Sequence, residues 1–187
     1  MLQSKSGLAG APIELNVLFM FFPIGAMLLT PLLGYFLDTR GKGATMLIYG
    51  ALLMTACHLT FALVPGASIT FPLALTAIVL LGISFSLVPA SLWPSVPKLV
   101  ENKVLGSAYA IIFWIQNVGL LTVPLLIGFV LQKSNPGVDI TAGGVYNYST
   151  VMFFFASFGI LALMLGFWLR AEDKKGGYGM ELPNKKK

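Results

Sequence analysis

Two long apolar runs on either side of one short charged turn constrain the fold of this chain more than any other feature. The turn is Gly34-Tyr35-Phe36-Leu37-Asp38-Thr39-Arg40-Gly41-Lys42-Gly43. The run before it covers residues 13–37, and the run after it covers residues 44–64. At about 1.5 Å per residue, each run forms a helix long enough to cross the ~30 Å hydrocarbon core of a bilayer. The short connection therefore predicts an antiparallel hairpin of two membrane helices.

Three further apolar runs follow, at residues 71–93, 104–131 and 148–169. Only 10% of the residues are charged, whereas soluble domains have about 25%. The chain is therefore predicted to be an all-α integral membrane protein with five transmembrane helices. An extracytoplasmic loop is expected at residues 1–12, and a disordered basic tail is expected at residues 171–187.

The basic residues are unevenly distributed across the five predicted spans. Ten of the 12 Lys and Arg residues fall on one side, and two, Lys5 and Lys133, fall on the other. By the positive-inside rule, this asymmetry predicts a cytoplasmic C-terminus and an N-terminus outside, in a multi-pass protein of the cell (inner) membrane. Topology thus accounts for the net charge of +5, and we expect no nucleic-acid partner.

The residues that carry most enzyme chemistry are sparse. The sequence has one histidine, His58, and one cysteine, Cys57, and both lie within an apolar run. It shows no metal-ligand spacing, no phosphate-binding loop after a strand and no pair of carboxylates within a span. We therefore expect no enzyme activity, no cofactor and no metal site. His58 is predicted to serve in helix packing.

The third span carries two local signals. Gly82, Ser86 and Ala90 recur at a spacing of four, which places small residues on one stripe and predicts a close contact between helices. After Trp93 come two prolines, at positions 94 and 97. Because proline lacks a backbone N–H group, these residues are predicted to end the helix near Trp93.

The turn also has a recognisable spacing, Gly-x-x-x-Asp-x-x-Gly-Lys, which resembles the loop signature of the major facilitator superfamily of secondary transporters. Gly34 is expected to allow a close helix approach, and Asp38 is expected to lie where the next helix begins. Gly41 and Gly43 are expected to adopt positive φ angles. Arg40 and Lys42 are expected to mark the cytoplasmic side. The resemblance implies a conformational lock formed by Gly34, Asp38, Arg40, Gly41 and Lys42. Alternatively, they are the Gly, Asp and basic residues found in any short membrane hairpin.

A longer resemblance covers the third and fourth spans. The elements Leu92-Trp93-Pro94, Leu105-Gly106-x-Ala108-Tyr109 and Ile115-Gln116-Asn117-x-Gly119-Leu120 are similar to helices ten and eleven of one superfamily branch. That branch contains a lysosomal dipeptide transporter and its bacterial relatives. The resemblance implies that the chain is a partial carboxyl-terminal bundle, helices eight to twelve of a twelve-helix transporter. Its expected partners are the lipid bilayer, a small-molecule solute and the missing amino-terminal half.

The same resemblance places the third and fourth spans beside a substrate cavity, and their polar and aromatic residues are the candidates for its wall. These candidates are Tyr109, Phe113, Gln116, Asn117, Trp93 and Ser86. Alternatively, the carboxamides bond neighbouring helices and the indole anchors at the membrane interface. The expected function is secondary-active or facilitative transport of a small organic solute, with short peptides as one class. A fragment of this kind is not expected to transport alone. The alternative is a non-transporting membrane assembly protein or a channel subunit.

Overall fold

The computed structural model describes residues 15–64, 69–139, 141 and 143–184. All regular structure in this part of the chain is helical, and each of the five long helices is long and apolar enough to cross a membrane. The prediction of an all-α, five-span fold is therefore confirmed, while the loop predicted at residues 1–12 lies outside the described residues. A short 3-10 helix, Asn102–Val104, leads into the fourth long helix. The long helices are α1 Leu15–Arg40, α2 Gly43–Leu63, α3 Phe71–Leu99, α4 Leu105–Ser134 and α5 Ser149–Gly176.

Helix α3 packs against α1 along the predicted stripe of small residues. Ser86 and Ala90 are buried there, and a methyl group added at Gly82 would lie 3.8 Å from the Phe22 ring. The Ser86 hydroxyl also reaches the backbone carbonyl oxygen of Ala26 on α1, at 3.4 Å. The prediction of a close helix contact is confirmed, because the small side chains let the two backbones approach each other.

Helix α2 packs against α3 on one side and against α5 on the other. Toward α3, the Ser84 hydroxyl donates a hydrogen bond of 2.6 Å to the carbonyl oxygen of Gly50. Toward α5, Gly159 lies so close to Thr55 that an added methyl group would overlap the threonine hydroxyl. Both contacts depend on a small residue at the point where the helices cross.

Helix α3 does not end near Trp93 as predicted, but continues through Pro94 and Pro97 to Leu99. A proline at position 97 leaves the carbonyl oxygen of residue 93 without its usual donor within the helix. The Tyr109 hydroxyl of α4 donates the missing hydrogen bond to this oxygen, at 3.0 Å. The prediction was wrong because a neighbouring helix supplies the missing donor, which a local sequence rule does not include.

The tail also differs from its prediction. Helix α5 continues to Gly176, and the chain then folds back so that Met180 is fully buried. The Met180 N–H group donates a 2.9 Å hydrogen bond to the Asp173 carboxylate, itself 7% exposed. Disorder is therefore the wrong prediction for residues 171–184, because their polar groups have specific partners. Residues 185–187 lie outside the described residues.

Helix α4 lies at the edge of the bundle. It touches α3 and α5 over short stretches, and none of its residues, all of which are described, is buried. Trp114, Leu121 and Leu125 are each 69% exposed. Such a face is stable only in contact with lipid or with further apolar helices.

Candidate functional site

A cavity of about 480 Å³, which we call the aromatic cavity, opens where α3 faces α4. Trp93 and Phe85 of α3 contribute aromatic rings, and Gln116 of α4 contributes a carboxamide. The remaining lining residues are apolar: Met54, Val88, Pro89, Leu92, Ile112 and Ile115. The cavity therefore offers one donor–acceptor group and aromatic surfaces in an otherwise apolar wall, which is the usual make-up of a small-molecule site.

The Trp93 ring is held in place by two aromatic residues of α4. It stacks on Phe113, with ring centroids 4.9 Å apart and the planes inclined by 22°. The Tyr109 ring lies 6.0 Å away, and its hydroxyl bonds the Trp93 carbonyl oxygen. Tyr109 and Phe113 thus fix both the backbone and the indole of Trp93. They position the cavity wall and do not line the cavity.

Besides Tyr109 and Phe113, two more of the six predicted cavity residues do not line the cavity. The Asn117 side chain is exposed and donates a 2.8 Å hydrogen bond to the Phe113 carbonyl oxygen of its own helix. Ser86 is fully buried between α1 and α3, and its hydroxyl donates to the Gly82 carbonyl oxygen at 2.9 Å. The structure therefore brings Trp93 and Gln116 to the cavity, and substrate binding by these two remains a prediction.

Phe85 was missed by the sequence analysis, although a signal for it exists. Phe85, Pro89 and Trp93 recur at a spacing of four, which places them on one face of α3. The same spacing rule identified the small-residue stripe at Gly82, Ser86 and Ala90. The two stripes are offset by three residues and are therefore neighbours on the helix surface. Phe85 contacts α1 as well, since its ring centroid lies 5.2 Å from that of Phe22.

The charged turn at residues 34–43 reverses the chain between α1 and α2. Gly41 and Lys42 both adopt left-handed backbone conformations, with φ of 75° and 74°, and this confirms the positive φ predicted at Gly41. The positive φ predicted at Gly43 is wrong, because Gly43 is already the first residue of α2 and Lys42 takes the second left-handed position. Asp38 lies in the last turn of α1 and not at the start of α2, so that part of the expectation is wrong. At Gly34, an added methyl group would meet no atom of the described residues within 4 Å, so no close approach explains this glycine. Arg40 is exposed.

The N-terminus of α2 is capped by the C-terminal segment, residues 177–184. The Glu181 carboxylate accepts hydrogen bonds from the Thr45 amide at 2.8 Å and from the Thr45 hydroxyl at 2.9 Å. The amides of Lys42 and Gly43 donate to the carbonyl oxygens of Glu181 and Met180, at 3.1 and 3.0 Å. The free N–H groups and the positive end of the helix dipole thus meet a carboxylate, as expected, but the carboxylate is that of Glu181.

The C-terminal segment also bonds the ends of α1 and α3. The Lys98 ammonium group at the end of α3 donates to the carbonyl oxygens of Gly179 and Leu182, at 3.1 and 2.7 Å. The Asn184 amide donates a 2.8 Å hydrogen bond to the Asp38 carboxylate at the end of α1. Through these contacts the segment joins the same end of four helices, α1, α2, α3 and α5.

The comparisons with known proteins agree with one another. A family model described as Major Facilitator Superfamily matches residues 4–181. The lysosomal dipeptide transporter MFSD1 of Mus musculus is 34% identical over 105 residues, a match that covers 56% of this chain and 21% of that protein. The protein of the same name from Danio rerio is 32% identical over 103 residues, covering 55% of this chain and 21% of the relative.

The protein of that name from Bos taurus is 31% identical over 104 residues, and this match covers 56% of this chain and 21% of the relative. The matched region is therefore 21% of the length of each of these three relatives. No solved structure matches the chain.

Proposed function

The chain belongs to the Major Facilitator Superfamily, and on that premise we propose that it forms part of a transporter that moves a small organic solute by alternating access. The observation that carries this proposal is the aromatic cavity, in which Trp93 and Gln116 converge from two different helices. In transporters built from two repeats, substrate sites lie near the bilayer midplane between the repeats. We assign α1 to α5 to helices eight to twelve of such a protein.

The face of α4 supports this assignment. Its large apolar side chains, among them Trp114 and Leu121, have no partner helix among the described residues. A second helical half placed there would cover this face and close the aromatic cavity. We therefore propose that the chain needs an amino-terminal half to transport, and that the chain alone does not transport.

Short peptides are the solute class that we propose. The relatives named above carry the name dipeptide transporter, and the aromatic cavity fits an amide-containing ligand. A carboxamide such as Gln116 both donates and accepts hydrogen bonds and so matches a peptide group. The rings of Trp93 and Phe85 offer stacking surfaces for side chains of varied chemistry.

No charged side chain is among the described residues that line the aromatic cavity. The terminal charges of a peptide would therefore be bound by the other half, while this half binds the peptide bond and side chains loosely. Because this half binds the peptide only loosely, the transporter should accept many short peptides, each with modest affinity.

We propose that the end of the bundle that carries Arg40, Lys98 and Arg170 faces the cytoplasm, in the cell (inner) membrane. The turn at residues 34–43 then acts as a lock on the cytoplasmic side, with Asp38 as its charged group. Replacing Asp38 with asparagine in the complete transporter should shift the balance of inward and outward states. Unchanged accessibility of cavity cysteines from both sides would show that Asp38 is only a turn residue.

Dipeptide uptake by the complete transporter tests the proposed site, with a matched pair of neighbouring carboxamides. Gln116→Ala should raise the apparent KM at unchanged surface expression, because it removes the one carboxamide in the cavity wall. Asn117→Ala should leave the KM unchanged, because that side chain bonds its own helix. Equal effects of the two substitutions, or normal uptake by both Gln116→Ala and Trp93→Ala, would refute the site.

A channel subunit or a non-transporting assembly protein is the alternative, and bilayer recordings separate it from a transporter. Under our proposal, the reconstituted complete transporter shows no open pore, and its solute flux saturates with concentration.

A further inference from the structure

A second cavity, of about 650 Å³, lies at the end of the bundle that carries the charged turn. We call it the basic cavity, because Lys42, which directly precedes α2, and Arg170 of α5 lie at its rim. Its wall is largely apolar and includes Leu33 and Phe36 of α1, Leu53 of α2 and Leu87 of α3. The aromatic cavity shares none of these residues, so the basic cavity is a separate feature.

The two cations at the rim are available to a ligand. Arg170 is exposed, and no described residue forms an ion pair or hydrogen bond with it. Lys42 has a side chain that is 58% exposed, and its nearest carboxylate, Glu181, is 3.9 Å away. That ion pair is long, and the Glu181 oxygens already accept hydrogen bonds from Thr45. An anionic group at the rim would therefore contact two cations. The one nearby carboxylate, that of Glu181, already accepts hydrogen bonds from Thr45.

The apolar wall of the basic cavity indicates which class of anion fits it. Phe36 and Tyr49, which also line the cavity, are 45% and 57% exposed, so this surface must face apolar material when the chain lies in a membrane. A free inorganic anion would contact only the rim and leave the wall uncovered. A phospholipid covers both, because its phosphate meets the cations and its acyl chain lies along Leu33, Phe36 and Leu53.

We propose that the basic cavity binds an anionic phospholipid of the leaflet at this end of the bundle. Lys42 and Arg170 contact the headgroup phosphate, and the guanidinium group of Arg170 forms a two-pronged contact with the phosphate oxygens. Basic pockets between transmembrane helices are suited to such headgroups. This proposal concerns the lipid surroundings of the bundle and does not require that the protein transport a solute.

Native mass spectrometry of the 187-residue chain in detergent tests the proposal, with phosphatidylglycerol and phosphatidylcholine as the two probe lipids. The chain should retain phosphatidylglycerol in preference to phosphatidylcholine. Lys42→Gln combined with Arg170→Gln should weaken phosphatidylglycerol binding by about 30-fold, which corresponds to the loss of two cation–headgroup contacts. Arg170→Gln alone should weaken it by about 5-fold and leaves the turn untouched.

Two matched controls remove a lysine that does not line the cavity. Lys103 follows α3 near the same end of the bundle and is paired with Glu101, whereas Lys133 lies at the far end of α4. Neither Lys103→Gln nor Lys133→Gln should change lipid binding by more than about 2-fold.

Three results would overturn the proposal. Unchanged binding by Arg170→Gln and by the double variant would exclude the cavity, and an equal loss in Lys103→Gln would mean non-specific surface attraction. Displacement of the lipid by millimolar inorganic phosphate would show a site for free phosphate in place of a lipid site.

Discussion

Replacing Glu181 with alanine tests whether the C-terminal segment caps helix α2. The substitution removes a carboxylate that accepts hydrogen bonds from the Thr45 amide and hydroxyl, at 2.8 and 2.9 Å. It also removes the 3.9 Å ion pair with Lys42. If the segment holds α2 through this side chain, the first turn of α2 should open more often.

The size of the effect follows from these contacts. Hydrogen bonds to a charged group contribute about 1.5–3 kcal/mol, and a negative charge at a helix N-terminus contributes about 0.3–1 kcal/mol. We discount the ion pair, because exposed pairs contribute about 0–1 kcal/mol and the Lys42 side chain is 58% exposed. Since the contacts share one carboxylate and do not add, we expect a local cost of about 2–3 kcal/mol.

Hydrogen exchange of the backbone amides measures this cost directly. A local cost of that size predicts exchange at the Thr45 amide that is roughly 30- to 150-fold faster in Glu181→Ala. Glu181→Gln keeps an oxygen acceptor without the charge, so its exchange rate should be intermediate. The matched control is Glu172→Ala, which removes an exposed ion pair with Lys175 and should change exchange at Thr45 by less than about 2-fold. Wild-type exchange in Glu181→Ala would refute the capping role.

Three other predictions concern packing and topology. Tyr109→Phe removes the hydroxyl that donates a 3.0 Å hydrogen bond to the Trp93 carbonyl oxygen. Thermal unfolding in detergent should therefore show a free energy of unfolding that is lower by about 1–3 kcal/mol. Unchanged stability would mean that another donor replaces the hydroxyl. The methyl group of Gly159→Ala would overlap Thr55 and should lower the free energy of unfolding by about 1–3 kcal/mol. The control Gly128→Ala places its methyl group in open space, so it should leave that free energy unchanged or raise it by up to about 1 kcal/mol. Equal effects of the two alanines would contradict the α2–α5 packing. For topology, a cysteine at Thr141 should react with an impermeant maleimide from outside, and one at Lys103 only after permeabilisation; the opposite pattern would reverse the proposed orientation.

The five spans were predictable because each needs only a long apolar run. The small-residue stripe was predictable as well, since Gly82, Ser86 and Ala90 repeat at helical spacing and pack as that spacing indicates. These features depend on residues close together in sequence. Local rules apply to them without knowledge of the neighbouring helices.

The features that sequence reasoning missed depend on distant residues. Helix α3 passes Pro97 because Tyr109, which lies 16 residues beyond Trp93, supplies the missing donor to the Trp93 carbonyl oxygen. The carboxylate at the start of α2 comes from Glu181, which is 136 residues from Thr45 in the sequence. A polar tail with several glycines is typical of disorder, and only its partners in the folded bundle show otherwise.

Only part of the candidate site could be predicted, because the site also depends on distant residues. The resemblance placed the polar and aromatic residues of α4 together in the cavity wall. It did not separate Gln116, which lines the cavity, from Asn117, which bonds its own helix. Adjacent residues on a helix differ by about 100° in direction, since there are about 3.6 residues per turn. Their roles depend on how α4 is rotated against α3, which the aromatic contacts of Trp93 fix.

Protection of a cysteine by substrate tests the central claim most directly, that solute binds in the aromatic cavity. The measurement compares Gln116→Cys with Asn117→Cys in the complete transporter, after Cys57→Ala has removed the native thiol. Saturating dipeptide should slow alkylation at position 116 and leave the rate at position 117 unchanged, because only position 116 lines the cavity. Equal protection at both positions, or none at position 116, would contradict the account.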